Sequence, residues 1–345
     1  MNTFVKSGLF VVMVALFSCN DSPVSKKSLG GINEILVALD SEDQWKGSLG
    51  DSIRSYFGQF LPGLPMPEES FSPFFVLTKK LYSDDFHKPH HNILIVEFDS
   101  NLEKASVESR KNLWASPQQV IRFSCPSDTS FFRLFRQYYP SLFKLYRETE
   151  KTRVINLFSG NPSKSIMQKL NQQYGLDMLI PGGFSVAAEN DSFIWIRQSV
   201  HRKKQDTELG FFLYFRPYRD TLSFSPLRVI HERDSVTRKY IPGPSEGSYM
   251  TTSTDVIQPE FNRTRNFSTG FALETRGLWK VENDFMGGPF LSYTFVDARR
   301  NVLITAEGYL YNPNNEQRKY MIQIEALLNT IKLYEGESSS SVPVK

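Results

Sequence analysis

The sequence predicts an α+β fold in two subdomains, with mostly antiparallel sheets, helices packed on one face and a C-terminal amphipathic helix. Three observations predict it. Aromatic residues are abundant, with 28 Phe and 15 Tyr in 345 residues, which suits pleated, half-buried strands. Apolar residues recur at helical spacing mainly in the first half of the chain, and in short turn-bounded runs in the second. Strands and helices are grouped in runs, as in segregated layers.

Taken in order, Met1 to Cys19 reads as a lipoprotein signal. Lys6 precedes the apolar run Leu9 to Phe17, and Leu16-Phe17-Ser18-Cys19 has the order of a lipobox. The run is shorter than the roughly 20 apolar residues of a spanning helix, so it suits a cleaved signal with Cys19 as lipid attachment site. The plain alternative is cleavage near Ser18 by an ordinary secretory peptidase, which leaves Cys19 incidental. Residues 20–30 are expected to be a flexible spacer.

An N-terminal α+β subdomain is expected over 31–178. Ile32 to Asp40 alternates like a strand, and Trp45, Leu49, Ile53 and Phe57 recur at helical spacing behind Ser41 or Asp43 as cap. Phe74 to Leu77 is a strand, and Asn92 to Phe98 is apolar almost throughout, hence central. A helix is expected from Ala105 to Trp114 and a strand over Val120 to Ser124. Ser127-Asp128 caps an aromatic helix that Pro140 restarts or kinks, and Pro162 and Gly175 bracket another.

Residues 179–334 are expected to be mainly antiparallel β. Strands are predicted around Phe184, Phe193, Gly210, Ser248, Phe271, Pro289 and Val302, with a helix from Ser225-Pro226 to Arg238. Asn314-Asn315 is read as the cap of the last helix, whose apolar face is Tyr320, Met321, Ile324, Leu327, Leu328 and Ile331. The Ser-rich residues 335–345 are expected to be disordered.

The formal net charge of +3 is spread along the chain, against a dedicated nucleic-acid binder. With Cys19 acylated, Cys125 is left without a disulfide partner and reads as a small buried apolar residue. No G-x-G-x-x-G follows a strand and no Walker loop appears, so no cofactor is expected.

Several short stretches stand out: Trp114-Ala115-Ser116-Pro117-Gln118, Arg233-Asp234-Ser235-Val236, Ile241-Pro242-Gly243-Pro244 leading to Gly247-Ser248-Tyr249-Met250, Arg276-Gly277-Leu278-Trp279, Met286-Gly287-Gly288-Pro289-Phe290, Glu307-Gly308-Tyr309 and Ile324-Glu325-Ala326. With these the chain resembles, from about Gly31 to about Leu333, the envelope lipoprotein family of Gram-negative bacteria described as domain of unknown function 4837. That resemblance implies a lipid-anchored envelope protein, and it carries over a role for Cys19 alone.

Three constellations carry candidate chemistry. Gly243-Pro244-Ser245-Glu246-Gly247 spells G-x-S-x-G, but all five histidines precede Ser245 and the following residues favour a strand, so a Gly/Pro turn is expected. His87, His90 and His91, beside Asp84 and Asp85, are candidate metal ligands, with a solvated loop as the plain reading. Arg276 and Trp279 should face opposite sides of one strand. They join Arg233, Asp234, Met286, Gly287 and Gly288 as a candidate binding groove, against the plain reading of a core Trp, a buried ion pair and a tight turn.

The expected function is an accessory or binding protein anchored in the cell envelope, at the periplasmic face or outer membrane. It would engage a glycan, lipid or protein partner, without nucleic acid. The alternative is an envelope hydrolase using carboxylates such as Glu307 with metal from the His87 to His91 loop.

Overall fold

The computed structural model describes residues 26–202 and 205–334. The signal, Cys19, most of the spacer and the Ser-rich tail lie outside those residues.

The first unit comprises β1 (Glu34–Leu39), α1 (Glu42–Lys46), α2 (Ser48–Phe57), β2 (Ser72–Leu77), α3 (Thr78–Ser83), β3 (Asn92–Phe98), β4 (Ser106–Lys111), β5 (Gln119–Cys125) and α4 (Asp128–Ser159). Its five-stranded sheet has the order β2-β1-β3-β5-β4, with β3 at the centre. β1, β2, β3 and β5 run parallel, and only β4 is antiparallel. A parallel sheet must be covered on both faces. Here Ile35, Val37, Leu39, Leu94 and Val96 face α2 and α4, and Leu36, Ala38, Ile93 and Ile95 face Leu81 of α3. Ser41 closes a capping box on α1 with Gln44, and Ser127 does the same for α4 with Ser130. α4 runs through Pro140 as one helix of 32 residues.

The helix expected over Ala105 to Trp114 is instead strand β4 and the turn beyond it. Its side chains are solvated except for the half-buried Val107, so pairing to β5 decides its conformation against helix-compatible Glu108, Arg110 and Lys111.

The second unit contains α5 (Lys164–Tyr174), β6 (Leu176–Asp177), β7 (Ser185–Asn190), β8 (Phe193–Arg202), β9 (Gln205–Pro217), a 3-10 turn (Thr221–Phe224), α6 (Pro226–Tyr240), β10 (Tyr249–Ser253), β11 (Glu260–Phe267), β12 (Gly270–Glu282), β13 (Gly287–Asp297), β14 (Val302–Tyr311), α7 (Arg318–Leu328) and β15 (Lys332–Leu333). β7 to β14 form an eight-stranded antiparallel sheet in the order β10-β12-β13-β14-β9-β8-β7, with β11 also paired to β12. β6 and β15 make a small second ladder. The α+β class is as expected, with two refinements: the first sheet is largely parallel, and helices lie on both faces of each sheet. α5 and α7 cover one face of the eight-stranded sheet through Ile166, Leu170, Ile324 and Leu328, while Val236 of α6 packs on the other. Although the sequence groups α5 with the first subdomain, its buried face belongs to the core of the second.

The two units share one interface. Leu61 and Leu64 of the first insert into the core of the second. Gly63, at φ 81°, lies so close to Arg276 that a Cβ there would stand 2.9 Å from the Arg276 Cβ, and no other residue would fit without strain. The cap of α7 also crosses the interface. Asn314 and Asn315 do not cap it; Glu68 accepts from the backbone N–H of Gln317 at 2.8 Å and of Arg318 at 2.9 Å. A carboxylate at a helix N-terminus satisfies two orphan donors and the macrodipole together. Glu68→Ala is expected to cost about 1–2 kcal/mol in denaturant unfolding. An unchanged midpoint would assign the cap no energetic role.

Lys26 to Gly30, expected to be free spacer, are built into the fold. Leu29 N–H donates to Pro89 O at 2.8 Å and Ser116 N–H to Lys26 O at 2.9 Å. Among the described residues no helix is long and apolar enough to cross a membrane.

Candidate functional site

Side chains alternate across a strand, so one face of the eight-stranded sheet collects Trp195 of β8, Phe212 of β9, Tyr309 of β14, Phe290 of β13 and Trp279 of β12. α6 lies on this aromatic face. Beyond it, Ile241 to Pro244 and Met286 wall a groove of about 640 Å³ whose floor includes Trp195, Trp279 and Tyr309. That volume is ordinary for a small-ligand site.

The polar groups of the groove form a chain. Trp195 Nε1 donates to the Tyr309 hydroxyl at 2.9 Å, and that hydroxyl donates to Glu208 at 2.7 Å. Ser199 donates to the other Glu208 oxygen at 2.8 Å, which Arg197 also reaches at 3.1 Å. The Arg197 guanidinium lies 4.8 Å from the Trp195 ring centroid. Burial pushes the Tyr309 phenol well above its usual value, so the hydroxyl stays a donor to Glu208. A carboxylate and a guanidinium therefore stand beside apolar ring faces.

Of the residues the sequence singles out, Trp279 and Met286 line this groove. Trp279 donates its indole N–H to Leu310 O at 3.1 Å. Gly288 makes this crossing possible, since a Cβ there would lie 2.0 Å from Leu310 O. A Cβ on Gly287 would likewise stand 2.9 Å from Trp279 O, so both glycines serve strand packing rather than the approach of a partner.

Arg276 points to the opposite face, as the alternation requires. It is held by Glu274 at 2.8 Å and Glu325 of α7 at 2.8 Å, and Glu325 also pairs with Arg147 and, at 3.6 Å, Lys151 of α4. Burial alone would raise Glu325; the three cations overcome it and hold the carboxyl well below the usual range.

Arg233 is buried inside α6's contact with the sheet. It donates to both oxygens of Glu307, at 2.7 and 2.9 Å, and to Thr252 at 3.0 Å, with Phe290 stacked 4.1 Å from its Cζ. Burial pushes the Glu307 carboxyl up and Arg233 opposes it. Asp234 tethers β10, accepting from the Thr252 N–H at 2.8 Å. Arg233, Asp234 and Arg276 thus hold elements together and do not enter the groove.

His90 and His91 are buried, not a solvated loop, at the N-terminal end of β3. Ligand sites of open parallel sheets lie at the opposite, carboxyl ends. His91 pairs with the buried Glu150 of α4 and its Nδ1 donates to Leu29 O at 2.8 Å; Arg153 donates to Gly30 O at 2.8 Å. The cluster clamps the segment that leads back to Cys19. Among the described residues no group of three or more His, Cys, Asp or Glu could hold a metal ion. Both oxygens of Glu307 are taken by Arg233, so that carboxylate and the histidine loop share no partner.

Burial, then the neighbouring His91, lowers His90 to about 3 from its ordinary 6.5. The unfolded chain therefore binds the extra proton first, and stability is lost as pH falls from 6.5 toward 3. The loss should reach about 2 kcal/mol by pH 5, read by denaturant melts, and His90→Asn should flatten that limb. An equally steep limb in the variant would acquit His90.

Ser245 donates to Asp284 at 2.5 Å in an exposed turn between α6 and β10, with no histidine among its partners. Cys125 is buried, and burial pushes its thiol up.

Trp195, Arg197 and Glu208 are not singled out by the sequence, and Tyr309 stands out only within Glu307-Gly308-Tyr309, with no binding role attached. Alternation in Phe193 to Gln198 puts Trp195 and Arg197 on one face, but nothing local tells which distant strand meets them.

Residues 163–330 match the family model described as domain of unknown function DUF4837, and residues 28–159 match a second, domain of unknown function DUF8532. The resemblance read from about Gly31 to about Leu333 is thus confined to the second unit, and Trp114 to Gln118 belong to the other match. No curated protein matches the chain.

Proposed function

From the premise that residues 163–330 are a domain of the DUF4837 family, we propose that the chain is a lipid-anchored binding protein of the bacterial cell envelope whose ligand is a short glycan. The groove carries this reading: the edges of the largely buried Trp195, Trp279 and Tyr309 give its floor an apolar surface for a sugar, and sugar hydroxyls meet Glu208 and Arg197 at its rim.

Anchoring is supported by the lipobox order at Leu16 to Cys19. From Cys19 to the first described residue, Lys26, an extended chain reaches only about 25 Å, which keeps the body close to the membrane. Mass spectrometry of the membrane fraction should find Cys19 acylated, and Cys19→Ala should move the protein to the soluble fraction. An unmodified Cys19 in a soluble protein would overturn the anchoring. Glu208→Gln should weaken glycan binding about tenfold in calorimetry, the worth of one charge-assisted hydrogen bond. Undiminished affinity would place the ligand elsewhere.

A further inference from the structure

The face of the sheet that carries the aromatic groove continues past α6 into a second cavity. We propose that this cavity, on the far side of the Arg233–Glu307 pair, is a phosphate-binding site.

It encloses about 160 Å³ and is lined by Arg216, Arg219 and Arg228, with Glu232 as its one acid. Arg216 is already matched to Glu232, its Nε 2.9 Å from the carboxylate. Arg219 and Arg228 pair with no acid among the described residues, so the cavity carries two uncompensated guanidinium groups. Arginine forks suit the tetrahedral oxygens of a phosphate bidentately.

Two further features favour an anion. The cavity is bordered by the first turn of α6, through Arg228 and Val229. That helix has 15 residues, begins at Pro226, has no side-chain cap and bears no acid in its first turn. Its N-terminal dipole therefore adds to the arginines without a built-in counter-charge. The inner wall is polar: Tyr214, Thr294 and Thr305 line the space, and the two threonine hydroxyls are hydrogen-bonded to each other at 2.9 Å.

The phosphate group can come from a soluble phosphate monoester or from a phospholipid headgroup. Around the 3-10 turn, a larger cavity with Phe224, Phe271, Arg263 and Arg265 offers apolar surface and more positive charge for the second source.

The test uses the full chain with Cys19→Ala, so that no acyl group contributes. Inorganic phosphate is titrated by calorimetry at constant ionic strength, and vesicles of phosphatidylcholine with or without phosphatidic acid are tested by co-sedimentation. Saturable phosphate binding, weakened about tenfold or more by Arg228→Gln, is the expected result. Arg219→Glu, at an exposed position, should do the same and reads the site if Arg228→Gln does not fold. Glu208→Gln, in the aromatic groove, should leave phosphate binding unchanged, which separates this site from glycan recognition. Binding to phosphatidic acid vesicles alone, with the same arginine dependence, identifies a lipid headgroup as the source. No saturable binding to either probe, or binding that both arginine variants retain, overturns the site.

Discussion

Arg233→Met is expected to destabilise the protein by about 3–5 kcal/mol, the usual cost of leaving one partner of a buried ion pair uncompensated. Glu307 is fully buried, and Arg233 supplies three of the hydrogen bonds that hold its two oxygens. Without the guanidinium, burial and the neighbouring Asp234 charge both push the carboxyl up with nothing to oppose them, which favours its protonated form. Protonation relieves the buried charge, so the variant should regain part of its stability relative to the parent as pH is lowered. Replacing both partners, Arg233→Met with Glu307→Leu, should recover most of the loss, since apolar pairs of similar volume often equal a buried salt bridge. A single variant as stable as the parent would mean that the pair carries no structural weight. The functional consequence is local, because Thr252 and Met250 of β10 both touch Arg233, and Met250 lines the groove.

Glu325→Ala is expected to cost a similar amount, about 3–5 kcal/mol, and to do so at the interface of the two units. It strips the shared partner from Arg276, which is buried, and from Arg147 and Lys151. α4 belongs to the first unit and α7 to the second, so their coupling should weaken. Denaturant unfolding followed by separate probes in each unit should change from one coincident transition to two. The pH dependence follows the same logic. A carboxyl held below its ordinary 4.5 stabilises the fold above that pH, and the contribution disappears as pH falls further. The variant should accordingly lose that acid-sensitive limb. Coincident transitions in Glu325→Ala would show that Leu61, Leu64 and the Glu68 cap suffice to couple the units.

Much of the architecture can be read from local pattern. The apolar run at Asn92 to Phe98 gives the central strand, Ser127 gives the start of α4, and alternation around Arg276 and Trp279 puts the two on opposite faces. β4 and the unpredicted β11 escape because both lie at sheet edges with mostly solvated side chains, which removes the period-two signal. The candidate site was legible only in part for a different reason. Trp279 announces itself as a tryptophan beside a Gly-Gly turn. Glu208 and Tyr309, its neighbours in the groove, meet across 101 residues of chain through the pairing of β9 with β14. Register between strands so far apart is set by the assembled sheet. The same holds for Arg233, whose partner Glu307 lies 74 residues away, and for the cap that Glu68 gives α7.

The central claim is that the groove over Trp195, Trp279 and Tyr309 takes a short glycan. The most direct measurement is a fluorescence titration of the full chain with soluble di- to tetrasaccharides prepared from the envelope glycan. The chain has 4 Trp, so Trp195→Phe and Trp279→Phe assign the response. The account predicts a saturable change in emission that shrinks in both variants and weakens about tenfold in Glu208→Gln. A titration with no saturable change, or a response that survives both tryptophan substitutions intact, would contradict it.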